Sequence, residues 1–224
     1  MSDCPHCDGT GFVVDEATNT ARDCTCRPLR ISQRKAAKLE ARIPDRYRGV
    51  SFDREPIVSM PDPVVRPVRS FTRRVDEKLD QGRGLWFAGD VGTGKTTLAM
   101  LVSKTALAAG RTVAIYSVPR LLNLVREAMV SEQGKLEFLD RLGTVDLLHL
   151  DDLGAQTQSE WVLEQLYSII NTRYEDQRSI VVTSNEFPDE LASEIGERTV
   201  SRLSEMCDVL PLQGPDRRLE YRPA

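Results

Sequence analysis

From Gly84 onward the chain alternates between short apolar runs and longer stretches in which apolar residues recur at helical spacing. The runs at 84–88, 112–116, 145–150 and 179–184 predict strands, and the intervening segments at 95–109, 119–130 and 159–174 predict helices. Several of the runs are apolar throughout rather than alternating, the pattern of strands covered on both faces in a parallel sheet. Strand and helix in alternation predict an α/β domain whose parallel central sheet is flanked by helices. Upstream the pattern changes. Pro56, Pro61, Pro63 and Pro67 predict an irregular stretch that is neither regular helix nor central strand, followed by a helical segment around Val68 to Leu79. Ser32 to Arg42 has the composition of an exposed helix that Pro44 ends. The chain carries no internal repeat and no low-complexity segment.

Between the first strand and the first helix of the alternating region lies Gly89-Asp90-Val91-Gly92-Thr93-Gly94-Lys95-Thr96, which fits G-x-x-x-x-G-K-[ST]. The glycines let backbone N–H groups curl around phosphates, and the helix N-terminus adds its positive dipole end. Lys95 is placed to reach the β- and γ-phosphates, and the Thr96 hydroxyl to take a place on Mg²⁺. Gly92, Thr93, Gly94, Lys95, Thr96 and Thr97 are therefore the expected nucleotide-binding residues, with ATP and Mg²⁺ as cofactors.

The strand Val145 to Leu150 ends in Asp151-Asp152, the form of a Walker B element. Asp151 is expected to hold the magnesium shell and Asp152 to orient or deprotonate the attacking water. His149 on that strand reads as an interior histidine rather than a catalyst. Ile180 to Asn185 ends in polar residues at the same sheet edge, and Asn185 is the candidate that senses the γ-phosphate. Arg198 and Arg202 lie four apart on one helical face, and Arg217-Arg218 forms another pair; such guanidinium groups suit phosphate charge.

The net charge of -4 on 224 residues argues against a protein that coats nucleic acid by bulk charge. Basic residues are nonetheless concentrated: Arg22 to Arg48 holds nine Lys/Arg against three Asp/Glu. No run approaches the roughly 18 apolar residues of a membrane span, and the first thirty residues lack a signal peptide's apolar core, so a cytoplasmic protein without a membrane segment is expected. In a reducing compartment, clustered cysteines are not a disulfide framework. Cys4-Pro5-His6-Cys7 and Cys24-Thr25-Cys26 instead predict a tetrahedral Zn²⁺ site formed by Cys4, Cys7, Cys24 and Cys26. The C-x-C pair is tighter than C-x-x-C, which leaves His6 as a possible substitute ligand; free thiols and redox chemistry are the other readings. Cys207 reads as a small core residue.

In the order Ile43-Pro44-Asp45-Arg46-Tyr47-Arg48, Gly92 to Thr96, Leu150 to Gly154, Asn171 to Glu175, Val182 to Asn185 and Arg198 to Leu203, these segments carry a resemblance. The chain resembles the bacterial replicative helicase loader family of AAA+ ATPases, DnaC-like and DnaI-like, together with the IstB-like transposition ATPases that share their core. The resemblance covers about residues 44 to 224. It implies an AAA+ P-loop NTPase fold, with Asn185 as sensor 1, Arg202 as an arginine finger on the neighbouring subunit's ATP, and Arg218 as the sensor 2 arginine, with Arg217 able to do the same work. It further implies a helix near Arg120 to Arg141 that faces single-stranded DNA, and a cysteine-rich amino-terminal part that grips the helicase. Asp152 stands where many ATPases of the class carry Glu, which implies slow or partner-stimulated hydrolysis.

The expected organisation is a cysteine-rich zinc segment at 1–30, a basic linker helix at 31–48, and an AAA+ ATPase domain at 49–224 with a minimal C-terminal lid. The expected activity is ATP-dependent loading of a hexameric replicative helicase onto single-stranded DNA by a homo-oligomer that forms with ATP. The alternative is a transposition helper ATPase acting with a transposase on duplex DNA. A small-molecule phosphotransferase leaves the sensor and finger pattern unexplained, and a non-catalytic zinc adaptor leaves Asp151-Asp152 unexplained.

Overall fold

Four apolar runs predicted from the sequence lie side by side in one parallel sheet, and a fifth strand joins them. The computed structural model of the chain describes residues 4–7, 10–15, 20–27, 42–156 and 159–217. The sheet strands are β3 (Gly84–Gly89), β4 (Val113–Ser117), β5 (Leu147–Leu153), β6 (Ser179–Ser184) and β7 (Cys207–Leu212), in the order β4-β5-β6-β3-β7. Every pairing is parallel. An antiparallel hairpin, β1 (Phe12–Asp15) with β2 (Thr20–Asp23), stands apart in the sequence, between the two cysteine pairs.

Because side chains alternate across a strand, β3 serves two cores at once. Leu85 and Phe87 face α1 (Asp62–Arg73), α2 (Val75–Asp80) and α3 (Lys95–Ala108), among Val68, Phe71, Leu79 and Leu98. Trp86 and Ala88 face the opposite core, built with α4 (Val118–Ala128), α5 (Glu132–Thr144), α6 (Glu160–Glu175), α7 (Pro188–Ile195) and α8 (Glu197–Met206). Helices on both faces bury all six residues of β3, which is why the strand is apolar without alternation.

Three expectations are corrected. The proline-rich stretch is in part a helix: α1 begins at Asp62, takes Pro63 in its first turn and carries Pro67 inside. Pro63 sits where its missing N–H is needed least, while Pro67 costs about 3 kcal/mol. Burial of Val65, Val68 and Phe71 on one stripe, each worth about 1.5–3 kcal/mol, outweighs that loss. The span near Arg120 to Arg141 is two helices, because the chain leaves α4 at Met129 and restarts with Ser131, whose side chain accepts the Gly134 N–H at 3.0 Å. Finally, β5 does not stop before its acids but continues to Leu153, with a register shift between Leu150 and Leu153.

The edge strand β7 escaped the sequence pattern, since Asp208 and Pro211 break its apolar run. Proline is tolerated there because, among the described residues, β7 is an edge strand that pairs with β3 alone. Cys207, at its start, is a buried core residue whose thiol lies 3.4 Å from the Ile180 carbonyl. Most of the expected 31–48 linker helix lies outside the described residues; Asp45–Tyr47 forms a single 3-10 turn.

A candidate nucleotide cleft and a cysteine cluster

Parallel sheets gather their functional groups at the carboxyl ends of the strands, where loops diverge. Here the ends of β3, β5 and β6 converge on one cleft of about 680 Å³, within the size range of small-molecule sites. One wall is the loop from Gly89 into α3. Gly92 (φ 77) and Gly94 (φ 100) occupy the left-handed region that only glycine enters without strain, the kind of backbone that lets successive N–H groups face a bound anion. No acidic residue lies in the first turn of α3, so its dipole end is left positive. Lys95 is buried, and its ammonium donates to the Gly89 and Asp90 carbonyls at 2.7 and 2.6 Å. Thr96 and Thr97 line the cleft, whereas Thr93 turns its hydroxyl back onto the Asp90 carbonyl at 2.8 Å and shapes the loop.

The facing wall is acidic. Asp151 and Asp152 extend from β5, and Thr183 and Asn185 from the end of β6 beside it. The Thr183 hydroxyl donates to Asp151 Oδ1 at 2.7 Å, and Asn185 Nδ2 donates to Asp152 Oδ1 at 3.3 Å. Burial opposes ionisation of Asp151, yet the neighbouring His149, Thr183 and Thr96 groups hold its carboxyl below the usual carboxylate range. At 3.9 Å from Asp151 the His149 ring is beyond hydrogen-bond reach, so the Thr183 hydroxyl at 2.7 Å is the direct contact. His149 is fully buried and bonds through Nδ1 to Ser103 of α3 at 2.9 Å, an interior histidine as its sequence position suggests.

The predicted residues divide into those the fold gathers and those it does not. Lys95, Thr96, Asp151, Asp152 and Asn185 meet in the cleft. Arg202 stands elsewhere on α8, its guanidinium over the rings of Tyr167 (4.8 Å) and Tyr174 (5.5 Å) and bonded to the Arg198 carbonyl at 3.3 Å. Arg218 lies outside the described residues, and its neighbour Arg217 reaches the cleft. The Arg217 N–H donates to the Gly92 carbonyl at 3.0 Å, and its side chain donates to Ser59 Oγ at 3.3 Å. Sequence reasoning assigned no role to Thr183 or to the third wall, where Tyr47, Val50 and Pro56 lie beside Arg46 and Glu55. Tyr47 and Thr183 each belonged to a recognised segment without a role of their own, and Thr183 reads as an ordinary β-branched strand residue.

The second cluster is formed by Cys4, Cys7, Cys24 and Cys26, whose sulfurs all lie within 4.8 Å of one another. Cys4 and Cys24 are 3.8 Å apart and Cys7 and Cys26 are 3.4 Å apart. Four sulfurs held at about 2.3 Å in a tetrahedron would be about 3.8 Å apart, so this set fits Zn²⁺. The hairpin supplies the approach: Cys24 N–H donates to the Gly11 carbonyl, and Gly11 N–H donates to Cys7 Sγ at 3.3 Å. Desolvation, and then hydrogen bonding with Cys7, Cys24 and Cys4, pushes the Cys26 thiol up to about 12. Four thiolates this close need a counter-charge, which a cation would supply. His6 is exposed and stands outside the group. Among the described residues no helix is long and apolar enough to cross a membrane.

Comparison with known proteins matches this architecture. The family model of the IstB-like ATP binding protein matches residues 74–223. The replicative helicase loader DnaC of Escherichia coli (strain K12) is 29% identical over 118 residues, 52% of this chain and 48% of that protein. The chain thus spans about half the length of that relative. The DnaC of Buchnera aphidicola subsp. Acyrthosiphon pisum (strain APS) is 26% identical over 180 residues, 77% of this chain and 72% of that protein. Among solved structures, a DnaC helicase loader superposes with a TM-score of 0.66 at 27% identity, covering 75% of this chain and 99% of that one.

Proposed function

Because the chain belongs to the family of IstB-like ATP binding proteins, we propose that it is a AAA+ ATPase that loads a hexameric replicative helicase onto single-stranded DNA. The observation that carries this reading is the convergence of the phosphate loop, Asp151, Asp152 and Asn185 on one cleft, in a chain whose relatives are named replicative helicase loaders.

In this reading the loop N–H groups and Lys95 bind the phosphates of ATP. Thr96 and Asp151 would hold Mg²⁺, which when bound neutralises phosphate charge. Asp152 orients the water that attacks the γ-phosphorus, and Asn185, hydrogen-bonded to Asp152, stands ready to register whether the γ-phosphate is present. Tyr47, Val50 and Pro56 offer an apolar wall for the base. Arg202, held by two tyrosine rings away from its own cleft, completes the ATP site of a neighbouring subunit. ATP therefore favours a homo-oligomer, and Arg217 or Arg218 acts in cis. Aspartate in place of a longer acid at 152 makes hydrolysis slow until a partner or DNA adjusts it. Cys4, Cys7, Cys24 and Cys26 would hold Zn²⁺, which ties the hairpin into a rigid arm for the helicase. The chain divides into this segment at 1–30, a basic linker at 31–48 and the ATPase domain at 49–224, and it works in the cytoplasm.

A second reading, a transposition helper acting with a transposase on duplex DNA, is favoured by the description of the matching family model. Both readings require ATP hydrolysis. Steady-state phosphate release should be slow for the wild type and stimulated by single-stranded DNA or helicase. Lys95→Ala should lose nucleotide binding, and Asp152→Asn should bind ATP normally while turnover falls on the order of 100-fold. Turnover equal in all three proteins, with and without DNA, would sink the hydrolytic reading.

A further inference from the structure

The two acids of the cleft occupy an irregular piece of sheet. The β5–β6 ladder runs in register from Leu147 opposite Ser179 to Leu150 opposite Val182 and resumes with Leu153 opposite Ser184. Between those points the extra residue of a bulge must be accommodated, and Asp152 does so by adopting φ 64. A non-glycine residue in that region is disfavoured and persists only where its surroundings hold it. The bulge also takes Asp152 N–H out of the backbone ladder.

The group that receives this N–H is the Thr183 hydroxyl, at 2.9 Å. The same oxygen donates its own proton to Asp151 Oδ1 at 2.7 Å. The polarity of both bonds is set by chemistry: a carboxylate only accepts and a backbone N–H only donates, so the hydroxyl must accept from one and donate to the other. Thr183 is 2% exposed, so its hydroxyl is itself shielded from solvent although the two acids line the cleft. One buried oxygen thus touches the backbone of one acid and the carboxylate of the other.

We propose that Thr183 is a positioning residue of this ATPase, the hydroxyl that fixes the metal-side acid Asp151 and the water-side acid Asp152 relative to one another. The proposal rests on the reading of the cleft as a hydrolytic ATP site. It assigns to a strand residue the task of holding a bulge whose geometry the reaction needs. Asn185 restrains the Asp152 carboxyl from the same strand end, but its bond is longer and exposed, so it does not replace the hydroxyl.

Thr183→Val keeps the branched shape and deletes both bonds; Thr183→Ser keeps the hydroxyl and deletes a methyl. Displacement of catalytic groups by a fraction of an ångström to an ångström costs up to on the order of 100-fold in rate. The expected result is a kcat lower by roughly 10- to 100-fold in Thr183→Val, with KM for MgATP within about threefold of wild type, and recovery to within about threefold in Thr183→Ser. Wild-type kcat in Thr183→Val would overturn the proposal. So would kcat and KM worsening together in both variants, since that pattern marks a packing role. If Thr183→Val does not fold, Thr183→Ala is judged against Thr183→Ser by the same criteria. Absence of turnover in the wild type above the Lys95→Ala background would instead defeat the hydrolytic reading itself.

Discussion

Gly92 shows how little room the phosphate loop leaves. Its backbone is left-handed, and a Cβ built on it would fall 1.9 Å from Asp216 Oδ1, while its carbonyl accepts the Arg217 N–H. The loop and the segment after β7 therefore share one surface, closed further by the Gly214 N–H donating to Asp90 Oδ2 at 3.0 Å. Gly92→Ala should cost about 1–2 kcal/mol of stability and weaken ATP binding several-fold, because both strain and the displaced Asp216–Arg217 pair act on the loop. Thermal unfolding and nucleotide titration check this; an unchanged melting temperature and affinity would contradict it. Gly92, Lys95 and Asp151 stood out in the sequence as candidates because phosphate and metal binding demand those residue types at that spacing, and the fold brings them to one cleft. Thr183 did not, because its importance arises from a bulge on the neighbouring strand, which no local pattern announces. Arg202 was legible as a charge but not as the occupant of a Tyr167–Tyr174 pair, which requires α6 and α8 to meet.

Elements were readable in proportion to how fully burial decided them. Strands β3 and β6 matched their apolar runs because both faces are covered, and α3 followed directly from the loop. In α1, local proline chemistry pointed one way and the buried stripe the other, and tertiary packing prevailed. Arg173 of α6 illustrates a tertiary role hidden from pattern. Fully buried, it donates to the carbonyls of Leu142, Val145 and Ser179 at 2.6, 2.9 and 2.7 Å, joining the end of α5 to the starts of β5 and β6. Burial without a paired carboxylate pushes it down to about 9, so it remains charged at neutral pH. The β1–β2 hairpin is the opposite case: β2 is exposed along its whole length and Phe12 and Val14 face solvent, so the hairpin has no core of its own. Its order should depend on the cysteine cluster. Purified protein should carry about one zinc per chain, and chelation should abolish amide protection in the hairpin while leaving the sheet of β3 to β7 intact. Fewer than about half a zinc per chain would remove the Cys₄ site from the account.

At the scale of the whole molecule, the cleft is built from one chain up to a point. Phosphate loop, acids, Asn185 and Arg217 come from the same fold, whereas Arg202 is turned to a different surface. Such a division suits an ATPase whose turnover is governed by neighbours, and a loader needs that property, because nucleotide should be spent only when the partner is engaged. The partner, unlike the candidate nucleotide cleft, has no signature in the residues themselves: a fold of this class serves many functions, and the relatives supply the direction. The most direct measurement is native mass spectrometry of the full chain mixed with the replicative helicase of its own host, with and without MgATP. A helicase loader should give a complex in which several copies of this chain, each retaining nucleotide, join the helicase hexamer when ATP is present. Absence of any complex in either condition, with a stable one formed instead with a transposase, would contradict the loader reading.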